Sequence, residues 1–173
     1  HNGTILYDAM LSGCTKENDK IQAIVVATSD GLKAVCGKQF VDASGDALLS
    51  RMAGVPVSIG DDEGFNQMTS YRFEMGGIDL VYYQCFSIPD APGCMTFNCP
   101  HISNMKRNMD AMARSEAVTQ GRKMIQRLVR FLQQCMPGFE HAFLIREAAA
   151  LGVRESCRIE GKYILKEEDY LNR

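Results

Sequence analysis

The stretch SEAVTQGRKMIQRLVRFLQQC, residues 115–135, decides the fold class of this chain, because it has the spacing of a long amphipathic helix. Its apolar residues recur at intervals of three and four positions, and Pro137-Gly138 ends the pattern. The apolar face consists of Val118, Gly121, Ile125, Leu128, Val129, Leu132 and Met136. The pattern predicts a helix that packs this face against a core.

Upstream of this helix the sequence is typical of antiparallel strands. Residues 20–27 are β-branched and apolar, residues 32–36 alternate, and Ser29-Asp30-Gly31 between them is a turn signal. This pattern predicts a hairpin over residues 20–36. A long helix together with antiparallel strands predicts an α+β fold, with a mostly antiparallel sheet and a few short helices.

Shorter elements are predicted elsewhere in the chain. Strands are predicted over residues 4–7, 38–43, 70–75 and 161–165. Helices are predicted over residues 47–53, where Ser44 or Asp46 can cap the amino end and Gly54 follows the last turn, and from residue 166 onward. Residues 80–86 are compatible with a strand or a helix, and residues 139–151 indicate turns.

Length and composition are those of an ordinary globular protein. The chain has 173 residues, of which 46% are hydrophobic and 23% charged, and this balance excludes general disorder. A net charge of −2 means that the chain lacks the excess of positive charge that is typical of nucleic-acid-binding proteins. No apolar run approaches the ~18 residues of a membrane span. Seven irregularly spaced cysteines favour free thiols in a reducing compartment, which predicts a cytoplasmic location.

The residue types offer little support for a metal site or a catalytic triad. Cys94, Cys99 and His101 lie within eight residues and carry donor atoms that zinc prefers. The Cys-x4-Cys spacing and the lack of an evident fourth ligand favour incidental thiols, so we predict no metal site. No G-x-S-x-G or Walker-type motif occurs, which argues against catalysis by a triad.

Residues 153–159 form a candidate anion-binding segment. If this segment is extended, Arg154, Ser156 and Arg158 project from one face. Two guanidinium groups about 7 Å apart on such a face can bind a carboxylate or a phosphate in bidentate fashion. Pairing with Glu155, or plain exposure of both arginines, is the alternative at this point.

Several segments match, in order, motifs that occur together in one family. The segments read FVDASGD at residues 40–46, AGVP at 53–56, QMT and FEMGGID within 67–79, PGFE at 137–140 and LGVRESCRIEGKYIL at 151–165. They resemble the FAD-dependent oxidoreductases of the glutathione-reductase type. The corresponding family motifs are IDATGD, AGVP, QPMTxxFRxGGVD, PGFE and GVRESRRIxGxYxLTxxD.

The resemblance implies a flavoprotein in which a hydride moves between an organic substrate and FAD. It places the turn formed by Ser44, Gly45 and Asp46 beside the dinucleotide. It identifies no catalytic residue, and the residues that it places on the substrate side are Gln67, Arg154, Glu155 and Arg158. It also assigns residues 1–54 to a remnant of the FAD-binding domain and residues 55–173 to the substrate-domain region.

The sequence departs from the family pattern at several points. Ser44 stands where the family has Thr, and Cys157 stands where it has Arg. The family's G-x-G-x-x-G loop, which holds the FAD pyrophosphate, and its C-terminal flavin-contacting segment do not occur in the sequence. The chain also opens with His1 and not with Met. We therefore expect a central fragment that by itself binds FAD weakly or not at all, whereas the full-length protein binds it.

The alternative function is a free-standing module that binds a ligand or a partner protein without a cofactor. This alternative predicts a chain that is folded and competent alone, whereas an in-frame glycine-rich loop upstream supports the enzyme. As partners we expect a small-molecule substrate and neither nucleic acid nor a membrane. A homodimer through an exposed edge of the N-terminal strands is one further option.

Overall fold

The computed structural model describes residues 3–79, 87–88, 90–103, 105–106 and 108–172. Within these residues the chain forms two units, one of His1–Ser58 with Cys157–Arg173 and the other of Ile59–Ser156. We call them the split unit and the central unit. The strands are β1 (Met10–Glu17), β2 (Lys20–Thr28), β3 (Gly31–Cys36), β4 (Val57–Ser58), β5 (Thr69–Ser70), β6 (Phe73–Gly76), β7 (Met95–Phe97), β8 (His101–Ile102), β9 (Phe143–Glu147) and β10 (Arg158–Ile159). The helices are α1 (Leu48–Met52), α2 (Ala111–Cys135) and α3 (Glu167–Leu171).

The split unit contains an antiparallel sheet of three strands in the order β1-β2-β3. The predicted hairpin over residues 20–36 is confirmed, with Thr28 paired with Gly31 across the turn. β1 lies within the first 43 residues, which the sequence indicates are β structure, although no strand with these bounds is predicted. It joins β2 through Asn18 and Asp19, whose φ angles of 48° and 63° suit a tight hairpin turn.

The remainder of the split unit contains short elements. α1 and α3 confirm the predicted helices, and Gly54 follows α1 with a φ of 78°. β4 pairs with β10. The strands predicted over residues 4–7, 38–43 and 161–165 are wrong, because these residues have no regular strand pairing in the described chain. In the candidate segment 153–159, Arg158–Ile159 forms a strand and residues 153–157 are irregular.

The central unit contains two small antiparallel sheets and the long helix α2. β5 pairs with β8, and β6 lies between β7 and β9. The strand predicted over residues 70–75 is split, since β5 and β6 are separated at residues 71–72. The turns predicted over residues 139–151 are replaced in part by β9. Residues 80–86, compatible with a strand or a helix by sequence, lie outside the described residues.

α2 confirms the helix predicted over residues 115–135 and begins four residues earlier, at Ala111. Its amino end is capped by Asp110, whose carboxylate accepts hydrogen bonds from the backbone N–H groups of Met112 and Ala113 at 2.9 and 3.0 Å. The predicted apolar face packs into a core with side chains of the sheets. The buried core residues are Tyr71, Phe73, Met75, Ile78, Met95, Ile102, Met105, Ala117, Ile125, Leu132, Phe139 and Ala142. The α+β class is therefore confirmed.

None of the helices in the described part of the chain has the length and apolar character that crossing a membrane requires.

Candidate functional site

An open groove of about 540 Å³ lies on the central unit and contains two of the four residues that the sequence places on the substrate side, Gln67 and Arg154. The side chains around it combine one positive charge, one negative charge, a histidine and two large apolar groups. The lining residues are Asp61, Phe65, Asn66, Gln67, Met68, His101, Ser103 and Arg154. Such a mixture is typical of sites that orient a small organic molecule.

The backbone after Arg154 is fixed by two buried asparagines. The side-chain amide of Asn108 donates to the carbonyl oxygen of Glu155 at 2.6 Å. The amide of Asn66 donates to the next carbonyl, that of Ser156, at 3.1 Å. Asn108 is fully buried and Asn66 is 6% exposed. The bond from Asn66 is therefore shielded from water, and the bond from Asn108 is partly buried. Sequence reasoning does not identify either asparagine, because each contacts residues at least 47 positions away.

Glu155 has a different position from its neighbour Arg154. Its carboxylate accepts a hydrogen bond from the backbone N–H of Gln67 at 3.0 Å, and its side chain is not part of the groove lining. Glu155 therefore ties residue 67 to the segment that carries Arg154. This contact brings together three of the four substrate-side residues predicted from the sequence.

Arg158, the fourth, lies in the split unit. It begins β10, where it pairs with Ser58 of β4. Residues 153–157, which precede β10, have no strand pairing with any described residue. A joint role for the two arginines in binding an anion stays a prediction.

The turn predicted to lie beside FAD is organised by Asp42, which the sequence identifies only as part of a strand. One carboxylate oxygen of Asp42 accepts from the backbone N–H and the hydroxyl of Ser44, at 3.1 and 2.6 Å. The other accepts from the N–H and the hydroxyl of Ser50, both at 2.9 Å. The Asp-x-Ser spacing of Asp42 and Ser44 is typical of an Asx turn, and it is the sequence signal that could have predicted this turn. These bonds turn the chain where a strand over residues 38–43 was predicted.

The electrostatics of this turn follow from the same contacts. Partial burial raises the pKa of Asp42, but the hydrogen bonds from Ser44 and Ser50 outweigh it and lower the pKa to about 2. The hydroxyl of Ser44 also accepts from the N–H of Leu48 at 2.9 Å, the first residue of α1. The N-cap residue of α1 is Ala47, which makes no side-chain capping hydrogen bond, so the prediction of Ser44 or Asp46 as the cap is wrong. Ser44 contacts the helix end only through this bond to Leu48, while its hydroxyl donates to Asp42.

Gly45 is the residue of this turn that best fits a closely approaching ligand. Its φ of 78° is in the region that favours glycine, and apart from Gly45 and its two chain neighbours no described residue has an atom within 4 Å of the position a β-carbon would occupy. Asp46 contributes its carbonyl oxygen, which accepts from the thiol of Cys157 at 3.2 Å. The exposed backbone at Gly45 therefore has room for a group such as the FAD dinucleotide.

A second groove, of about 390 Å³, lies next to this turn within the split unit. Its walls are mainly apolar side chains from the three-stranded sheet and from the segments on either side of it, together with Asp42 and Ser44. The lining residues are Leu6, Ala9, Leu11, Ile24, Val26, Val35, Val41, Asp42, Ala43, Ser44 and Leu49. The turn predicted to meet the cofactor thus borders an apolar surface.

Cysteine and histidine side chains do not form a metal site in the described part of the chain. No group of three or more His, Cys, Asp or Glu side chains there is arranged to hold a metal ion. Burial raises the pKa of the Cys99 thiol, which disfavours the thiolate that a metal would bind. His101 instead lines the groove that contains Arg154, a placement that its sequence context does not indicate.

The family model described as "FAD dependent oxidoreductase" matches the chain in two overlapping segments, residues 1–85 and 70–173. No curated protein and no solved structure matches the chain.

Proposed function

The chain belongs to the FAD dependent oxidoreductase family, and from this premise we propose that the full-length protein transfers a hydride between a small organic substrate and FAD. The family match covers both units, so it includes both the groove that contains Arg154 and the turn at Gly45. The observation that carries the proposal is the position of Gln67 and Arg154 on the same groove of the central unit.

The cofactor side of the proposal rests on Ser44, Gly45 and Asp46. Gly45 has a left-handed backbone and open space beside it, which suit close approach of a dinucleotide to the main chain. The four hydrogen bonds that Asp42 accepts hold this turn in place. FAD, when bound, supplies the hydride acceptor or donor.

We propose further that these 173 residues are part of a longer protein of the glutathione-reductase type, which binds FAD as a whole. The G-x-G-x-x-G loop that would hold the pyrophosphate does not occur in the sequence, so the chain alone should bind FAD weakly or not at all. The reading frame upstream tests this directly. A strand followed by G-x-G-x-x-G supports the proposal, and an initiator Met immediately before His1 contradicts it.

The substrate side rests on Arg154, with Gln67 lining the same groove and Glu155 accepting a hydrogen bond from the backbone N–H of Gln67. A guanidinium group binds carboxylates through two parallel hydrogen bonds, a geometry that orients the bound molecule. Arg158 is proposed as a second substrate contact because it belongs to the same family-like motif. Arg158 lies in β10, so a substitution of Arg158 tests this contact separately from that of Arg154.

The test uses the full-length protein, purified under mild conditions. We expect the visible absorbance of bound flavin, and we expect anaerobic bleaching of that absorbance by some members of a panel of small organic acids and alcohols. Arg154→Gln should slow the bleaching while the flavin content is unchanged. A full-length protein that carries no FAD after reconstitution would contradict the proposal.

A homodimer is proposed through β3, an edge strand of the three-stranded sheet in which all six residues are exposed. Unpaired backbone groups at a sheet edge can pair with a second copy. Sedimentation of the wild-type protein should show a dimer, and Ala34→Pro should shift it to a monomer, because the N–H of Ala34 points away from β2 in the antiparallel register and proline removes this donor from the free edge. A wild-type monomer at all concentrations would rule this contact out.

The cytoplasm is proposed as the compartment, because the cysteines of the described residues are free. These are Cys14, Cys36, Cys94, Cys99, Cys135 and Cys157. Thiol titration of the protein from its native cells should recover free thiols.

A further inference from the structure

We propose that the groove on the central unit binds a monocarboxylate with an apolar body, and that Arg154 pairs with its carboxylate. This inference deepens the proposed function, on which its relevance to catalysis rests. It is drawn from the charges, apolar groups and backbone anchors around the groove.

The charge around the groove favours one carboxylate over a more highly charged anion. Arg154 is exposed and provides the positive charge. Asp61 lines the same groove, and one of its oxygens accepts from the backbone N–H groups of Glu63 and Phe65 at 3.0 and 2.9 Å. The lining thus has one cationic side chain, which pairs with one carboxylate, and the negative charge of Asp61 offsets any further attraction for a second anionic group. The groove should therefore discriminate against inorganic phosphate.

The apolar part of the ligand is matched by Phe65 and Met68. Met68 is 56% exposed, and an adaptable thioether chain of this kind fits ligands of varied shape. The Phe65 ring is held by the loop that Asp61 orders, and the ammonium group of Lys106 lies 4.1 Å from its centroid. Together these side chains offer an apolar surface to the body of the ligand.

The backbone that carries Arg154 is anchored on both sides. Before it, Gly152 and Ser70 exchange two backbone hydrogen bonds, of 2.8 and 3.2 Å. After it, the buried amides of Asn108 and Asn66 hold the carbonyl groups of residues 155 and 156. A guanidinium on a fixed main chain loses less conformational freedom when it binds, which strengthens binding. The volume of about 540 Å³ is in the usual range for small-molecule sites.

The experiment measures binding to the full-length protein by isothermal titration calorimetry with three probes: 3-phenylpropionate, its neutral amide, and inorganic phosphate. We expect saturable binding of 3-phenylpropionate, with the amide and phosphate each at least about tenfold weaker. Arg154→Gln should weaken the carboxylate by a similar factor and leave the amide unchanged. Arg130→Gln, exposed on α2 of the same unit, is the matched control and should change nothing.

The inference is overturned if 3-phenylpropionate does not saturate, if its amide binds equally well, or if Arg154→Gln leaves the carboxylate affinity intact. Thermal melting of each variant establishes that it is folded, and Arg154→Lys, which keeps the charge, provides a second variant with an intermediate affinity expected. Flavin content is measured on the same samples. A protein that carries FAD but ignores the carboxylate refutes this inference alone, whereas a protein without FAD refutes the proposed oxidoreductase.

Discussion

Gly121 of α2 lies directly against the ring of Tyr71, so closely that a β-carbon at position 121 would be 2.8 Å from Cδ1 of the ring. Tyr71 is 1% exposed and its backbone N–H donates to the carbonyl of Pro100 at 3.0 Å. The pKa of Arg122 is raised, mainly by its hydrogen bond to Tyr71. The carboxylate of Glu147, with Oε2 3.0 Å from Nε of Arg122, also contributes. The ring is therefore held from several directions and cannot yield easily.

Gly121→Ala should consequently destabilise the central unit. Alanine is favoured over glycine in a helix by about 1 kcal/mol, but overpacking a core costs about 1–3 kcal/mol. We expect a net loss in the free energy of unfolding, measured by urea denaturation. Gln126→Ala, exposed on the same helix, is the control and should be nearly neutral. A Gly121→Ala protein more stable than wild type would mean that the ring can move aside.

Asp42 should give stability that depends on pH in the acid range. Its folded pKa of about 2 lies below the ordinary value of 3.8 for an aspartate, so between these values the unfolded chain binds the proton and the folded chain does not. The stabilisation is complete above about pH 5 and is lost as the pH falls towards 2, an effect of about 1–2 kcal/mol after allowance for solvent screening.

The pH dependence of Asp42→Asn tests this cause. The variant should be less stable than wild type at pH 7, and the difference should shrink as both approach pH 2. Glu116→Gln, exposed on α2, serves as the control and should follow the wild-type curve. Parallel curves for wild type and Asp42→Asn from pH 7 to 2 would exclude a depressed pKa at residue 42.

The elements that the sequence predicted well are those with strong local signals. α2 and the hairpin over residues 20–36 have clear periodicity, and a turn signal or cap marks their ends. β1 and β9 lack such signals: β1 contains one β-branched residue, Thr15, and β9 follows Pro137-Gly138 in a stretch that looks like turns. Both are strands because a partner elsewhere in the chain pairs with them, and single-sequence patterns do not show pairing.

The residues of the candidate sites also differ in whether the sequence carries a signal for them. Family-like motifs led to Gln67 and Arg154, which do share a groove, and to the turn at Ser44 and Gly45. The groups that hold these residues in place were missed, because a buried amide such as that of Asn108 is recognised only by what it contacts. Short polar residues therefore need a three-dimensional structure before their role can be assigned.

Asn108 should contribute substantially to stability, because its amide is buried and donates to the carbonyl of Glu155. Asn108→Ala leaves that partly buried carbonyl without its donor, which costs about 1–3 kcal/mol, and the loss is reduced because the substitution also removes the buried Oδ1 of Asn108, which has no hydrogen-bond partner among the described residues. Hydrogen exchange should also speed up in residues 152–156. Asn98→Ala is the control, since Asn98 is exposed and accepts from Arg72 at the surface. Equal stability of the two variants would show that Asn108 does not anchor this segment.

The close contact between Gly152 and Ser70 can be tested with two substitutions, one that creates a clash and one that relieves it. A β-carbon at residue 152 would lie 2.5 Å from the hydroxyl oxygen of Ser70 but 3.8 Å from its β-carbon. Gly152→Ala should therefore reduce the free energy of unfolding by about 1–2 kcal/mol, as overpacking does. In a Ser70→Ala background, where the hydroxyl is gone, the same substitution should cost much less, and the double-mutant cycle measures the coupling. Additive effects of the two substitutions would contradict the contact. A non-additive rescue would also show that the bridge preceding Arg154 is as tight as its geometry indicates.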